Sequence, residues 1–196
     1  MMLPIVRLKV WQIIVTGVKL SYLHGWDMAA FEYRQAEELR EVFAKWGVCY
    51  LFIGKSGAIL LGFPDTTQDV VIFPLRSPEN GRALVEALRE IGFSLTDQQA
   101  EEIIQGKDFI QLKNGPFDID LVFAPDGIEN FSEAWQRHVE VEGFPVCHLD
   151  DIIASKRSAN RVRDREVLPR LIAFRDYWRQ MRNLPDGSPS GIPKII

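Results

Sequence analysis

Short apolar runs alternate with segments of helical periodicity along most of this chain. Val48 to Ile53 is an uninterrupted apolar run, short enough to be a strand buried inside a sheet. A helical segment that includes Phe31 precedes it; Asp27 is placed to cap this helix and Gly47 to end it. The alternation predicts an α/β or α+β fold with a small mixed sheet flanked by helices.

The same pattern continues to about residue 182. Asp69 to Phe73 reads as a second strand, after which Ser77-Pro78 begins a helix that Gly92 ends. The Asn114-Gly115 dipeptide predicts an antiparallel hairpin between two later strands. The other predicted elements are a helix over 97–105, the hairpin strands over 108–112 and 117–123, a helix over 132–139, a strand over 145–148, and helices over 150–159 and 163–181.

These elements predict one domain over residues 27–182, with a helical C-terminal segment from about residue 150. Residues 1–26 read as an N-terminal extension. Its apolar run is interrupted by polar residues, is not followed by a cleavage site, and is shorter than the ~20 apolar residues of a membrane span. Residues 183–196 are rich in proline and glycine and predict an irregular tail.

Composition narrows the function classes. The chain is 46% hydrophobic and 26% charged, which is ordinary for a globular protein. A net charge of -4 gives no overall attraction to nucleic acid or to an anionic membrane, so no extended nucleic-acid surface is expected. Cys49 and Cys147 both lie in apolar strand-like runs and are expected to be buried thiols, which favours a cytoplasmic location.

Three acidic residues and one short turn carry the chemical signal. Gly54-Lys55-Ser56 follows the first strand, Asp69 begins the second, and Asp118 and Asp120 lie on a later one. Side chains at i and i+2 of a strand point the same way, so Asp118 and Asp120 are expected to face one point. Carboxylate oxygens are the ligands that Mg²⁺ prefers. We therefore expect Asp69, Asp118 and Asp120 to converge on one metal-binding cleft beside Gly54.

Over about residues 48–170 the chain resembles the minimal nucleotidyltransferases of the DNA polymerase beta superfamily. The order of the elements is more specific than any single motif. The matching segments are Tyr50-Leu51-Phe52-Ile53-Gly54, Ala58 to Gly62, Thr66-Thr67-Gln68-Asp69, the helix from Asn80 to Gly92, Ile119-Asp120-Leu121 with Gly127, Phe131 to Trp135, and Leu149 to Asp164.

The resemblance implies a nucleotidyltransferase fold and the metal-dependent transfer of a nucleoside monophosphate from an NTP to an acceptor hydroxyl. Mg²⁺ or Mn²⁺ and NTP would be the cofactors, and the acceptor is a small molecule, a protein or RNA. Asp69 and Asp120 would be the catalytic residues and metal ligands. The i, i+2 spacing of Asp118 and Asp120, rather than the resemblance, adds Asp118 as a candidate third ligand. The turn Gly54-Lys55-Ser56 would receive the phosphates, and Lys156 would be either structural or phosphate-facing.

Two positions depart from the family pattern. Lys55 replaces the second small residue of the turn, and Val71 replaces the second Asp of an Asp-x-Asp pair. An isopropyl group cannot coordinate a cation, so a second metal ion should bind weakly or not at all. The Asp118/Asp120 pair offers a different distribution of carboxylates, and Lys55 offers a positive charge for the triphosphate.

Two functions therefore remain open. One is a nucleotidyltransferase, and the other is an inactive, antitoxin-like relative that binds nucleotide or a protein partner. A P-loop is excluded, because the position five residues before Gly54 is Cys49 rather than glycine. The basic residues around Arg161 either line the substrate side of the cleft or form a solvated helix face. His138 and His148 show no zinc-like spacing.

Overall fold

The computed structural model describes residues 31–182. The predicted Asp27 cap, the extension over 1–26 and the tail over 183–196 lie outside this range. The elements in chain order are α1 (Tyr33–Trp46), β1 (Tyr50–Phe52), α2 (Gly54–Leu60), β2 (Val70–Pro74), α3 (Pro78–Ile91), α4 (Asp97–Gln105), β3 (Phe109–Leu112), β4 (Ile119–Val122), α5 (Phe131–Arg137), β5 (Val139–Val141), β6 (Phe144–Val146), α6 (Leu149–Ala159) and α7 (Val162–Arg182).

The strands form one six-stranded sheet in the order β3-β4-β2-β1-β6-β5. The β1–β6 and β2–β4 pairs are parallel, whereas the β1–β2, β3–β4 and β5–β6 pairs are antiparallel. The predicted mixed sheet with flanking helices and a helical C-terminal segment is therefore confirmed. The β3–β4 pairing also confirms the hairpin that Asn114-Gly115 predicted.

Strand direction brings the predicted site residues to one edge of the sheet. Because β2 runs antiparallel to β1, the residues that follow β1 lie beside those that begin β2. Because β4 runs parallel to β2, its first residues lie at the same edge. In the register of this pair, Val71 of β2 is opposite Asp120 of β4. Gly54, Asp69 and Asp120 thus approach one another from separate parts of the sequence.

Local capping chemistry fixes the long helices that pack on this sheet. The Ser77 hydroxyl oxygen accepts a hydrogen bond from the Asn80 backbone N–H at 3.1 Å, and Pro78 occupies the first turn of α3. Gly92 ends α3 with φ +111°, a left-handed conformation that favours glycine. Thr96 caps α4 in the same way as Ser77 caps α3.

The core is formed by aromatic and aliphatic side chains between the sheet and the helices. Phe52, in the middle of the sheet, is fully buried. Its ring packs edge-on against Tyr50, with 5.3 Å between centroids, and against Phe144 at 5.7 Å. These contacts tie β1 to β6 and fix the strand that leads into Gly54.

Three details differ from the sequence-based expectations. Phe31 lies before the first helix rather than in it, because Glu32 caps α1 through reciprocal hydrogen bonds with Gln35. Helix α5 ends at Arg137 instead of continuing to Val139. Val139 instead begins β5, a strand that the sequence did not predict and that pairs with β6. Among residues 31–182, no helix is long and apolar enough to cross a membrane.

Candidate active site

A cleft of about 430 Å³ opens at the sheet edge where β1 ends and β2 and β4 begin. Helix α6 and the first turn of α7 form its opposite wall. Five of the residues predicted for the site line it, namely Gly54, Lys55, Asp69, Asp120 and Lys156. Val71 also lines the cleft, so the position where a second carboxylate was expected faces the interior of the site.

Gly54 and Val71 are in close contact at the base of the cleft. Gly54 has φ +68°, and a Cβ atom placed on it would lie 3.4 Å from the Val71 Cβ atom. Glycine therefore serves two needs here, because a side chain would be strained by the backbone conformation and would crowd Val71. The contact leaves an apolar surface between the two carboxylates of Asp69 and Asp120.

Asp120 has an unusual electrostatic environment for an aspartate. Burial raises the pKa of its carboxyl group above the ordinary value, and the nearby charges of Asp69 and Asp118 act in the same direction. The side-chain amide of Gln111 opposes this shift by donating a hydrogen bond to Asp120 Oδ1 at 3.0 Å. Gln111 lies directly across from Asp120 in the β3–β4 pair. The bond holds one carboxylate oxygen in place.

Lys55 extends into the cleft from the start of α2. Its Nζ atom lies 3.8 Å from Asp65 Oδ1, which is at the limit of an ion pair. Asp65 is held more closely by Arg170 of α7, whose Nη1 atom lies 3.0 Å from Asp65 Oδ2. Because Asp65 already has a closer cationic partner, the ammonium group of Lys55 keeps donors for an anion in the cleft.

The helical wall of the cleft carries one ion pair and two exposed arginines. Lys156 Nζ donates to Asp164 Oδ1 at 2.8 Å, and only 15% and 7% of these two side chains are exposed. This pair joins α6 to α7 at the cleft. Arg161 and Arg163 also line the cleft, and both are exposed. Of the basic residues near Arg161, Arg161 and Arg163 thus face the cleft.

Two predicted residues are not brought to the cleft wall. Ser56 is fully buried, and its hydroxyl group donates to the Ile53 carbonyl oxygen and accepts from the Val71 N–H. Asp118 is close enough to influence Asp120 but does not line the cleft, and its backbone carbonyl accepts the Val70 N–H. Ser56 therefore links α2 to β2. Neither Ser56 nor Asp118 is among the residues that line the cleft.

The donor set of the cleft fits one hard cation better than two. Within residues 31–182 no three histidine, cysteine, aspartate or glutamate side chains are grouped closely enough to hold a metal ion on their own. Asp69 and Asp120 supply two carboxylates, and Mg²⁺ is often bound by one or two carboxylates completed by water and substrate phosphates. The residues present therefore fit a single Mg²⁺ that binds together with a phosphate-bearing ligand.

Sequence reasoning missed Gln111, Asp65 and Arg170. Gln111 belongs to an edge strand and is recognisable only from its register with Asp120. Asp65 and Arg170 are more than a hundred residues apart and meet only in the folded chain. The hairpin prediction was the one available signal, because it placed the 108–112 strand beside Asp120.

Comparison with known proteins bears on the fold. No protein-family model and no curated protein sequence matches this chain. Among solved structures, the lincosamide antibiotic adenylyltransferase LnuA with lincomycin bound is similar, with a TM-score of 0.53. The match covers 74% of this chain and 99% of LnuA at 13% identity. This chain therefore shares the fold of LnuA. At this identity the likeness extends to the fold alone.

Proposed function

We propose that this protein binds a nucleoside triphosphate with Mg²⁺ or Mn²⁺ in the cleft and transfers the nucleoside monophosphate to a hydroxyl group of an acceptor. One observation carries the proposal: Asp69 and Asp120 face basic side chains across one cleft. Carboxylates for a cation and cations for phosphates are the two groups of ligands that such a reaction needs. The nucleotidyltransferase fold of the chain supports the same reaction class.

Each group in the cleft has a separate task in this proposal. Asp69 and Asp120 would hold the metal ion, which when bound would neutralise charge on the departing pyrophosphate. Lys55, Arg161 and Arg163 would bind the phosphate oxygens, the two arginines through their planar guanidinium groups. The acceptor oxygen forms a bond to the α-phosphorus as the bond to the bridging oxygen breaks, and the hydroxyl proton passes to water.

A second function, nucleotide binding without chemistry, is favoured by one specific observation. Val71 lines the cleft beside Gly54 and removes the carboxylate expected there. With Asp69 and Asp120 as its carboxylate ligands, the cleft would hold one metal ion, and the electrostatic stabilisation that a second ion would supply would be absent. The protein would then act as an inactive nucleotide- or partner-binding module, antitoxin-like in role. Cys49 and Cys147 are free thiols, which keeps the cytoplasm as the proposed compartment for either function.

Pyrophosphate release distinguishes the two functions. The purified full-length protein is incubated with Mg²⁺, each of the four NTPs, and one acceptor class at a time: lincomycin as a hydroxyl-bearing small molecule, RNA, or protein. The reaction we propose predicts release that Asp69→Asn abolishes. Asp97→Asn is the matched control, because it makes the same change in charge at an exposed carboxylate that does not line the cleft.

Nucleotide binding is measured in parallel by calorimetric titration. Binding together with release supports the enzyme, whereas binding without release under any acceptor supports the second function. A protein that neither binds NTP nor releases pyrophosphate would contradict both. Equal loss of activity in Asp69→Asn and Asp97→Asn would contradict the assignment of the cleft as the site.

A further inference from the structure

A second hollow, of about 300 Å³, lies at the opposite end of the α6–α7 helix pair from the cleft. The cleft is lined by the end of α6 and the start of α7, whereas the hollow is lined by His148, which caps the start of α6, and by the last turns of α7. At 1.5 Å per residue, Arg163 in the cleft and Arg179 in the hollow are roughly 24 Å apart along α7. The hollow is therefore separate from the cleft.

The polar wall of the hollow consists of arginine and histidine side chains, and no carboxylate lines it. Arg137, His138, His148, Arg179 and Arg182 line it, together with the ring of Trp178 and Val139. Among residues 31–182, Arg182 makes no ion pair, and its guanidinium carbon lies 4.5 Å from the centre of the Trp178 ring. This group is therefore available to an anion that enters the hollow.

The carboxylates that hold the other arginines do not line the hollow. Asp151 accepts from Arg137 at 3.0 Å, and Asp150 accepts from Arg179 at 2.5 Å. Asp150 uses its other oxygen for Arg175 at 3.2 Å. An arginine held in this way by part of its guanidinium group keeps further N–H donors for a ligand. The arrangement fixes the direction of the donors at the rim before any ligand binds.

Aromatic rings reach the hollow from two sides. His138 stacks on Trp135 with centroids 4.5 Å apart and an interplanar angle of 23°, and Trp135 stacks on Phe131 at 5.7 Å and 23°. Since His138 lines the hollow, this stack of near-parallel rings ends there. On the other side, Trp178 packs edge-on against His148 at 5.6 Å. A planar ring in the hollow would meet aromatic surface as well as cationic groups.

We propose that this hollow binds a nucleotide unit, with its phosphate at Arg179 and Arg182 and its base against the rings of His138 and Trp178. Guanidinium groups suit the bidentate binding of phosphate oxygens, and aromatic side chains suit the stacking of a base. A volume of about 300 Å³ is at the lower limit of ligand pockets, so the hollow suits a small ligand. The net charge of -4 means that attraction to phosphate has to come from such a local group of cations.

Two ligands present a phosphate and a base in this way: a free nucleotide and the terminal nucleotide of a single strand. The test is an NMR titration of the full-length protein without divalent metal, which weakens binding at the cleft. The probes are AMP, inorganic phosphate and a short single-stranded oligoadenylate. AMP or the oligonucleotide is expected to shift the Trp178 indole signal and the imidazole signals of His138 and His148. The methyl signals of Val71, in the cleft, should shift much less.

Two variants test the arginine charge and the histidine ring of the hollow separately. Arg182→Ala should weaken AMP binding about tenfold, while Arg165→Ala, an exposed arginine of α7 outside both sites, should leave it unchanged. His138→Ala should weaken AMP more than phosphate. If AMP binds more tightly than oligoadenylate, the ligand of the hollow is a free nucleotide. If oligoadenylate binds more tightly than AMP, the ligand is the end of a strand.

Three outcomes would overturn the proposal. The first is inorganic phosphate binding as tightly as AMP, which leaves the rings without a role. The second is equal AMP affinity in wild type and Arg182→Ala, and the third is the absence of shifts at Trp178 at millimolar AMP. None of these results depends on catalysis at the cleft, so the two proposals can fail separately.

Discussion

Residue 71 determines how many carboxylates meet in the cleft. Val71 pairs with Asp120 across the parallel β2–β4 ladder, and its side chain touches Gly54. Side chains opposite one another in neighbouring strands lie close enough to interact. A carboxylate at this position would therefore stand between Asp69 and Asp120, where it could share a cation with both.

We expect Val71→Asp to tighten Mn²⁺ binding in the presence of NTP by about tenfold, or about 1.4 kcal/mol, because it adds an anionic ligand. Calorimetric titration of Mn²⁺ into folded wild type and variant measures this change. Val71→Asn is the matched control, since it has a similar shape without the charge. If Val71→Asp and Val71→Asn bind Mn²⁺ equally well, residue 71 does not contribute to a metal site.

We expect the ionised carboxyl group of Asp120 to destabilise the folded protein at neutral pH. Burial raises the pKa of its carboxyl group, so the folded protein keeps the proton at pH values where the unfolded chain has lost it. Stability then falls as pH rises from the ordinary aspartate pKa of about 3.9 to the raised value. At pH values above the raised pKa, the full loss of stability is present.

Asp120→Asn should therefore increase the free energy of unfolding at pH 7, by about 1 kcal/mol or less. The asparagine side-chain oxygen can still accept the hydrogen bond from Gln111. Urea unfolding at several pH values measures the gain, which should shrink as pH is lowered toward about 4. Asp126→Asn, at an exposed carboxylate, is the control. A gain that is independent of pH would contradict this explanation.

At the scale of elements, the two hairpins show why one was predicted and the other was not. Asn114-Gly115 is a strong hairpin signal and β3 does pair with β4, but the flanking pair is Leu112 with Ile119, so the connection is longer than a two-residue turn. The tight turn is instead Glu142-Gly143, with φ +51° and +78°. Glutamate is not a usual residue in such a turn, so no local sequence pattern predicted this hairpin.

Gly143→Ala should destabilise the protein by about 1–2 kcal/mol, because an alanine is strained in the left-handed conformation. A Cβ atom on Gly143 would lie no closer than 3.5 Å to Arg40, so the cost is conformational rather than steric. Equilibrium urea unfolding measures the change. Gly143→Asn should cost less, since asparagine tolerates this conformation better. Equal losses in the two variants would indicate a steric cause instead.

The Lys156–Asp164 pair is the main polar link between α6 and α7 at the cleft. Asp164→Ala leaves the ammonium group of Lys156 buried without its partner and should cost about 3 kcal/mol of stability. The double variant Lys156→Met with Asp164→Leu removes both charges and should cost clearly less. Urea unfolding of wild type, Lys156→Met, Asp164→Leu and the double variant completes the cycle. Additive losses would mean that the pair is not coupled.

At the scale of the whole molecule, the order of the elements was predictable and the composition of the site was only partly so. Apolar runs, caps and glycine stops predicted most helices and strands, and strand direction then brought Asp69 and Asp120 together. Three-residue strands such as β5 have too little pattern to detect. The burial of Ser56 and the pairing of His138 and His148 in one hollow depend on tertiary contacts, which no local pattern records.

Ligand-dependent stability tests the cleft on the intact protein. A ligand that binds only the folded state stabilises it by mass action, by about 2.7 kcal/mol at a hundredfold excess over Kd. Mg²⁺ with a non-hydrolysable NTP should therefore raise the melting temperature, since the cation also relieves the repulsion between Asp69 and Asp120. Asp69→Asn should lose most of this shift, measured by calorimetry. Arg182→Ala, in the hollow, should keep it, which separates the two sites. An unchanged melting temperature of the wild type at millimolar metal and nucleotide would mean that the cleft does not bind them.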